Sequence, residues 1–157
     1  PGILSTHLHS DGHFAEELYV KDPGSSRPHN ERQPDQILDT STYKVVMNGN
    51  QVFKHAVVRF MEVINEALRA NNLQRTDINL LVPHQANLRI SQYIQEKLEL
   101  SNDQVYNNIM RYGNTTAASI PIALSEAWAE GKVKESDLIC LAAFGSGFTW
   151  ASALIRW

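Results

Sequence analysis

The stretch INLLVPHQANLRISQYIQEKL, Ile78 to Leu98, decides how the rest of the chain is read. Ile78 to Val82 is a short, nearly all-apolar run, the pattern of a strand buried on both faces. Pro83 has no N–H for a ladder and stops it, and His84 follows at once. From about Ala86 to Leu98 the apolar spacing becomes helical, with Leu88, Ser91, Ile94 and Leu98 on one stripe. Strand, polar corner, helix is the repeating unit of a layered α/β sheet. In such sheets ligands gather beyond the carboxyl ends of strands, where His84 stands.

The same grammar extends in both directions. Downstream, Val105 to Asn107 reads as extended and Tyr112-Gly113-Asn114 as a turn. A helix is expected from near Thr115 to Glu130, kinked by Pro121 or starting late because of it, with Gly131 as its C′ residue. Leu138 to Phe144 is a second apolar strand. Gly145-Ser146-Gly147 joins it to a last strand, Phe148 to Trp157. Upstream, Val52, Phe53, Ala56, Val57, Phe60, Ile64, Ala67 and Leu68 mark a long amphipathic helix, with Asn50 as its expected N-cap and Asn71-Asn72 as its end. Ile3 to His9 reads as a strand, Asp11-Gly12 as a turn, and Phe14 to Val20 as a returning hairpin arm. Asp22 to Gln36 carries three prolines and no periodicity, which predicts a surface loop. Tyr43 to Met47 reads as extended. The order predicts an α/β domain: a mixed sheet with helices packed on its faces.

Composition bounds the alternatives. The chain has 157 residues, 43% hydrophobic, enough for one domain with a core and too apolar for a disordered chain. No run of about 18 apolar residues suggests a membrane span. The opening PGILSTHLHSDG has no Met and no signal core, as if cut from a longer chain. Lys plus Arg is 14 against 17 acidic residues, so the net charge of -3 argues against a nucleic-acid coat. A single cysteine, Cys140, excludes an internal disulfide and a thiolate metal cage, and fits a reducing cytoplasmic setting.

Three polar corners follow strands or extended segments: Pro83-His84-Gln85, Gly113-Asn114-Thr115 and Gly145-Ser146-Gly147. A His and an Asn can aim N–H donors at one oxygen, and a Gly-rich corner can add a backbone N–H. Together they suit negative charge on a carbonyl or enolate oxygen. Plainer roles stay open: a hydrogen-bonded structural His, a turn Asn, an ordinary hairpin corner. His7, His9 and His13 lack a partner at metal-ligand spacing, and alternation puts His7 and His9 on a strand face expected to be solvated. Cys140 lies inside an apolar strand, which predicts an inert thiol. Ser146 lacks the elbow motif of a serine hydrolase.

The strings LLVPHQANLRI (Leu80 to Ile90), RYGNTTAASIP (Arg111 to Pro121), AAFGSGFTWASALIRW (Ala142 to Trp157) and MNGNQVFK (Met47 to Lys54) resemble the 3-oxoacyl-[acyl-carrier-protein] synthase III family along the whole chain. The resemblance implies a thiolase-like fold of two similar halves, each a five-stranded mixed sheet between helices. This chain resembles the second half, residues 38–157, preceded by a crossover strand and surface loop over residues 1–37. It implies a Cys-His-Asn triad in which His84 and Asn114 match two members. The nucleophilic cysteine belongs to the first half, which these residues do not include, and Cys140 lies in no matching motif.

The reaction so implied is acyl transfer from an acyl-CoA primer, typically acetyl-CoA, to the cysteine, then decarboxylative condensation with malonyl-acyl carrier protein to start fatty acid synthesis. By resemblance, the backbone N–H of Ser146, where relatives often have Gly, helps hold the acyl oxyanion. Gly49, Asn50, Phe53, Ala86 and Asn87 match positions lining the CoA or phosphopantetheine tunnel. Lys54 and Arg89 match docking positions for the acidic carrier protein, with Lys97 two turns beyond Arg89 and Glu96 acidic where relatives are commonly basic. CoA enters as a substrate; no covalent cofactor and no metal is implied, and a homodimer is expected. Two other readings stand beside this one: an inactive fragment that only binds CoA or carrier protein, and a relative using another acyl primer. A thiolase with a second cysteine fits the PHQAN and GNTTAA pair less well.

Overall fold

The all-apolar runs of the sequence form strands of one sheet that is packed on both faces. The computed structural model describes residues 1–21 and 44–157. Strands β1 (Gly2–Ser10), β4 (Leu80–Pro83), β5 (Leu138–Gly145) and β6 (Thr149–Arg156) form one sheet in the order β1-β6-β5-β4. β4 and β5 run parallel, and β6 is antiparallel to both β5 and β1. This is the mixed α/β architecture read from the sequence. Among the described residues the five-stranded expectation meets four strands in this sheet plus one isolated parallel bridge, Leu81 to Val105, where a fifth would lie. The segment there is too short to extend the ladder, because a 3₁₀ turn precedes it and a helical turn follows.

Alternate residues of each strand serve different layers. Leu81, Leu138, Cys140, Ala142, Phe144, Trp150 and Leu154 join a core with helices α1 (Gly49–Ala70) and α2 (Leu88–Leu98). Leu80, Val82 and Ile139 turn the other way, onto α4 (Ser119–Ala129), through Ala123 and Ala127. α1 buries Phe60, Val63, Ile64 and Ala67, and the buried Ser152 hydroxyl on β6 donates to the Val63 carbonyl at 2.9 Å. That bond satisfies a hydroxyl that would otherwise be stranded inside the layer.

Several boundaries move for identifiable reasons. The α1 N-cap is Asn48, not Asn50: its side-chain oxygen accepts from Gln51 N at 3.4 Å, and its own N–H donates to Glu17 O at 2.9 Å. Tethering by the chain before it selects the cap, and Asn50 becomes the second helical residue. Phe14 to Val20 is not one extended arm. Asp11 caps a 3₁₀ turn over Gly12–Glu17, and only β2 (Leu18–Val20) pairs, with β3 (Val45–Met47). A helical turn, α3 (Ile109–Tyr112), comes before Gly113. The following helix starts late, at Ser119, so Pro121 falls in its first turn, where its missing N–H leaves no intrahelical bond unmade. Gly131 ends it with φ of +72°, its N–H on Trp128 O and that of Lys132 on Ala127 O, the double bond of a Schellman cap.

The His7 and His9 face of β1 lies toward α1: His7 is half-buried there, while His9 stays exposed as expected. Both rings meet Glu66 of α1, at 3.3 and 2.6 Å, and His9 stacks on Trp150. The opposite face carries exposed Leu8. Pairing with β6 puts His7 opposite Ser152 and His9 opposite Trp150, on the α1 side, so register overrode polarity. The expected surface loop over residues 22–36 and the boundary at 37/38 lie outside the described residues. Among the described residues no helix is long and apolar enough to cross a membrane, and no three His, Cys, Asp or Glu residues are grouped to hold a metal.

Candidate active site

His84 occupies the corner just beyond β4. Its N–H donates to Ala142 O at 2.8 Å, one step past Pro83, which fixes the backbone against β5. The imidazole is half-buried, and its Nδ1 lies 2.6 Å from Ser119 Oγ at the start of α4. Ser119 is only 2% exposed, and its oxygen also accepts from Gln85 N at 3.3 Å. Gln85 N–H can only donate, so among the described residues His84 Nδ1 is the one partner able to accept the Ser119 proton, which would otherwise stay unbonded inside the fold. The network therefore assigns the Nε2–H tautomer to the ring. Burial also holds the His84 pKa below its ordinary value, favouring the neutral form. The result is a neutral imidazole with a free N–H donor at Nε2.

Gln85, 3% exposed, ties this corner to the segment leading to Asn114. Its amide nitrogen donates to Pro83 O at 2.8 Å and Tyr106 O at 3.3 Å. Its oxygen accepts from Asn108 N at 3.0 Å and Ile109 N at 3.1 Å. Every hydrogen-bonding position of the amide is used. α3 follows, closed by Gly113 at φ +68°, whose N–H donates to Ile109 O at 2.7 Å. Asn114 is exposed, and its side-chain oxygen accepts from Thr116 N at 2.9 Å. That bond orients the amide and leaves its NH₂ free to donate. His84 and Asn114 share no direct hydrogen bond; Ser119, five residues after Asn114, connects their loops.

Ser146 is exposed at the corner between β5 and β6. Asp11 and Phe148 exchange a reciprocal pair of backbone bonds, each 2.8 Å, beneath it. Phe148, 1% exposed, packs its ring against Phe144, Phe14 and His55. Ser146 itself has no positive φ, so a Cβ brings no strain there. Gly147 does need to be glycine: φ is +135°, and a Cβ would stand 2.8 Å from Thr149 Cγ2. Cys140 is fully buried, and desolvation pushes its thiol up to about 12, as befits an inert core residue.

The residues matched to a CoA tunnel fall at the starts of α1 and α2. Gly49 and Asn50 are exposed in the first turn of α1, and Phe53, half-buried, meets Tyr93 edge-on at 6.5 Å. Ala86 is half-buried, its N–H on His84 O at 2.9 Å. Asn87 caps α2, its side-chain oxygen accepting from Arg89 N at 2.9 Å, so its NH₂ and one oxygen lone pair remain to meet a ligand. Lys54 and Arg89 are exposed near these helix starts. Lys97 lies in the last turn of α2, over the Tyr93 ring at 5.4 Å, and Glu96 beside it is exposed. Lys97 borders a groove of about 480 Å³ between α1 and α2 that none of His84, Asn114 and Ser146 lines. The sequence reading gave no role to Gln85 or Ser119. A signal was present for both: Gln85 directly follows the matched His84, and Ser119 is a polar residue between Ala118 and Ile120 just after the matched GNTTAA string.

Residues 68–157 match the family model described as 3-oxoacyl-[acyl-carrier-protein (ACP)] synthase III C terminal. A beta-ketoacyl-[acyl-carrier-protein] synthase III of Yersinia pestis (strain Pestoides F) is 47% identical over 156 residues, 99% of this chain and 46% of that protein. The enzyme of that name from Salmonella arizonae is likewise 47% identical over the same shares. The chain thus spans about half the length of these relatives. Among solved structures, 3-oxoacyl-[acyl-carrier-protein] synthase III from Aquifex aeolicus VF5 superposes with a TM-score of 0.84 at 39% identity, covering 99% of this chain and 44% of that one. The Thermus thermophilus synthase III also gives 0.84, at 40% identity, covering 99% and 46%. The chain belongs to the 3-oxoacyl-[acyl-carrier-protein] synthase III family, as its C-terminal half.

Proposed function

We propose that the chain supplies the decarboxylation and condensation donors of a beta-ketoacyl-acyl carrier protein synthase. A cysteine-bearing first half accepts an acyl group from an acyl-CoA primer, acetyl-CoA first among candidates. Malonyl-acyl carrier protein then loses carbon dioxide, and its carbanion attacks the acyl thioester. Covalent capture divides a difficult condensation into two easier steps. Electrons released by decarboxylation reach the thioester oxygen, and His84 Nε2–H and the Asn114 amide stabilise them there. The Ser146 backbone N–H serves the acyl oxyanion. Gly49, Asn50, Phe53, Ala86 and Asn87 line the path of the pantetheine arm, whose amides suit the free NH₂ of Asn87. Lys54, Arg89 and Lys97 meet the acidic carrier protein, and two copies of the whole protein form a homodimer.

One observation carries this reading. The buried Ser119 hydroxyl, already accepting from Gln85, commits its proton to His84 Nδ1 and leaves a neutral ring with a donor at Nε2. A donor is what an enolate oxygen requires, whereas a base for the cysteine would need that nitrogen bare. The test is complementation. The chain is assayed alone and then with a cysteine-bearing first half, using acetyl-CoA and malonyl-acyl carrier protein. Product only from the pair supports the proposal. CoA binding without product, even with the other half present, favours a binding fragment. Product only with longer or branched primers changes the primer assignment and keeps the roles.

A further inference from the structure

We propose that Glu126 is the positioning residue for Asn114, its carboxylate gathering the segment that delivers the Asn114 amide. Glu126 sits two turns into α4. Its Oε2 accepts from Asn108 Nδ2 at 2.8 Å and from Arg111 Nη2 at 2.7 Å, and its Oε1 accepts the Tyr112 hydroxyl. All three donors lie in the seven residues running up to Asn114: Asn108 just before α3, and Arg111 and Tyr112 within it. The same helix begins at Ser119, the residue that holds His84. One rigid element therefore contacts both donor loops: its first residue fixes the imidazole, and a carboxylate seven residues on fixes the chain leading into Gly113.

Neighbouring contacts widen the clasp. Tyr106 OH donates to Glu130 Oε1 at 2.8 Å, and Arg111 Nη2 donates to Tyr106 OH at 3.0 Å. The three donors on Glu126 also hold its carboxyl below the ordinary carboxylate range, so the acceptor stays ionised. A simple surface ion pair does not account for this arrangement. Arg111 is half-exposed, and an exposed pair by itself contributes little to stability. Three donors from one short segment on one carboxylate do fix a backbone path. α3 has only four residues and no side-chain cap, so little within it would hold that path otherwise.

This inference rests on the role given to Asn114 above, and its test separates the two. Glu126→Ala, Asn114→Ala and the double variant are made in the chain joined to a cysteine-bearing first half. Acyl loading of the cysteine and condensation with malonyl-acyl carrier protein are then measured separately. Displacing a reacting group by about 1 Å costs on the order of 100-fold in rate. Glu126→Ala is expected to lower the condensation kcat roughly 10- to 100-fold, leaving acyl loading and the KM for carrier substrate unchanged. In the Asn114→Ala background the same change is expected to have no further effect. Glu126→Gln, which retains one carbonyl acceptor, is expected to restore part of the rate.

Equal losses in loading and condensation, or a full additional loss in the Asn114→Ala background, overturn the inference. If Asn114→Ala abolishes condensation and Glu126→Ala spares it, the positioning role alone fails. If Asn114→Ala leaves condensation intact, the assigned donor role fails and the positioning role with it. Should Glu126→Ala not fold, Tyr112→Phe removes one donor from the clasp and must give the same selective pattern at smaller size.

Discussion

Removing the Ser119 hydroxyl tests the donor assignment at its root. Ser119→Ala takes away two bonds at a site 2% exposed: the donor to His84 Nδ1 at 2.6 Å and the acceptor for Gln85 N at 3.3 Å. Ala fills nearly the same volume, so no cavity of consequence opens. The buried Gln85 N–H is left unpaired, which costs about 1–3 kcal/mol of stability. The imidazole then has no partner selecting its tautomer. If it lost the Nε2 proton outright, the barrier would rise by about 2.7–4 kcal/mol, the range for one oxyanion donor. A ring free to exchange tautomers keeps part of that benefit. The expected cost is therefore nearer 1–2 kcal/mol, a rate loss of roughly 5- to 30-fold. The assay pairs condensation kinetics of the joined protein with ¹⁵N NMR of the histidine side chains. The wild type should show His84 protonated at Nε2, and Ser119→Ala a mixture. An Nδ1–H tautomer in the wild type refutes the reasoning. So does a variant that destabilises the fold as expected yet keeps both the Nε2 proton and the full rate.

Other perturbations address the remaining groups. Asn114→Asp keeps an oxygen for Thr116 N–H, so the turn should survive. It puts negative charge beside the developing oxyanion and should slow condensation by at least the 100- to 1,000-fold typical of losing one donor; a near wild-type rate would remove Asn114 from the mechanism. Arg89→Ala should slow reaction with carrier-bound malonate far more than acyl loading from CoA, because in the proposed docking role the charge meets an acidic carrier and not the thioester; equal slowing in the two assays argues against docking. Burial depresses the His84 pKa from 6.5, so the unfolded chain binds the proton more readily. No stability is lost from this source above both values, and stability falls as pH drops through about 6.5 toward the lower folded value. Urea unfolding of His84→Gln should accordingly show a smaller loss between pH 7.5 and pH 5.5 than wild type. An identical loss would mean that the ring is not buried neutral.

Much of the fold is written in local chemistry. Alternation and all-apolar runs marked β4, β5 and β6, because a strand buried on both faces must be apolar throughout. Helical spacing marked α1, because seven buried residues from Ala56 to Leu68 share one stripe. Gly131 announced a C-cap that only glycine forms without strain. Resemblance in the PHQAN and GNTTAA strings singled out His84 and Asn114 before any geometry was known.

Tertiary structure decided what those residues are held by. Whether Asn48 or Asn50 caps α1 depended on Glu17, 31 residues before Asn48 by sequence and a hydrogen bond away in space. The placement of the His7 and His9 face on the α1 side followed from register against β6, which a polar strand face does not announce. The His84 tautomer depends on Ser119, 35 residues away, and the Asn114 loop depends on Gln85 and Glu126, which lie on different elements. Local pattern encodes which groups are apolar and how the backbone turns. It carries no record of which distant donor meets which acceptor, because that pairing exists only after the layers have packed.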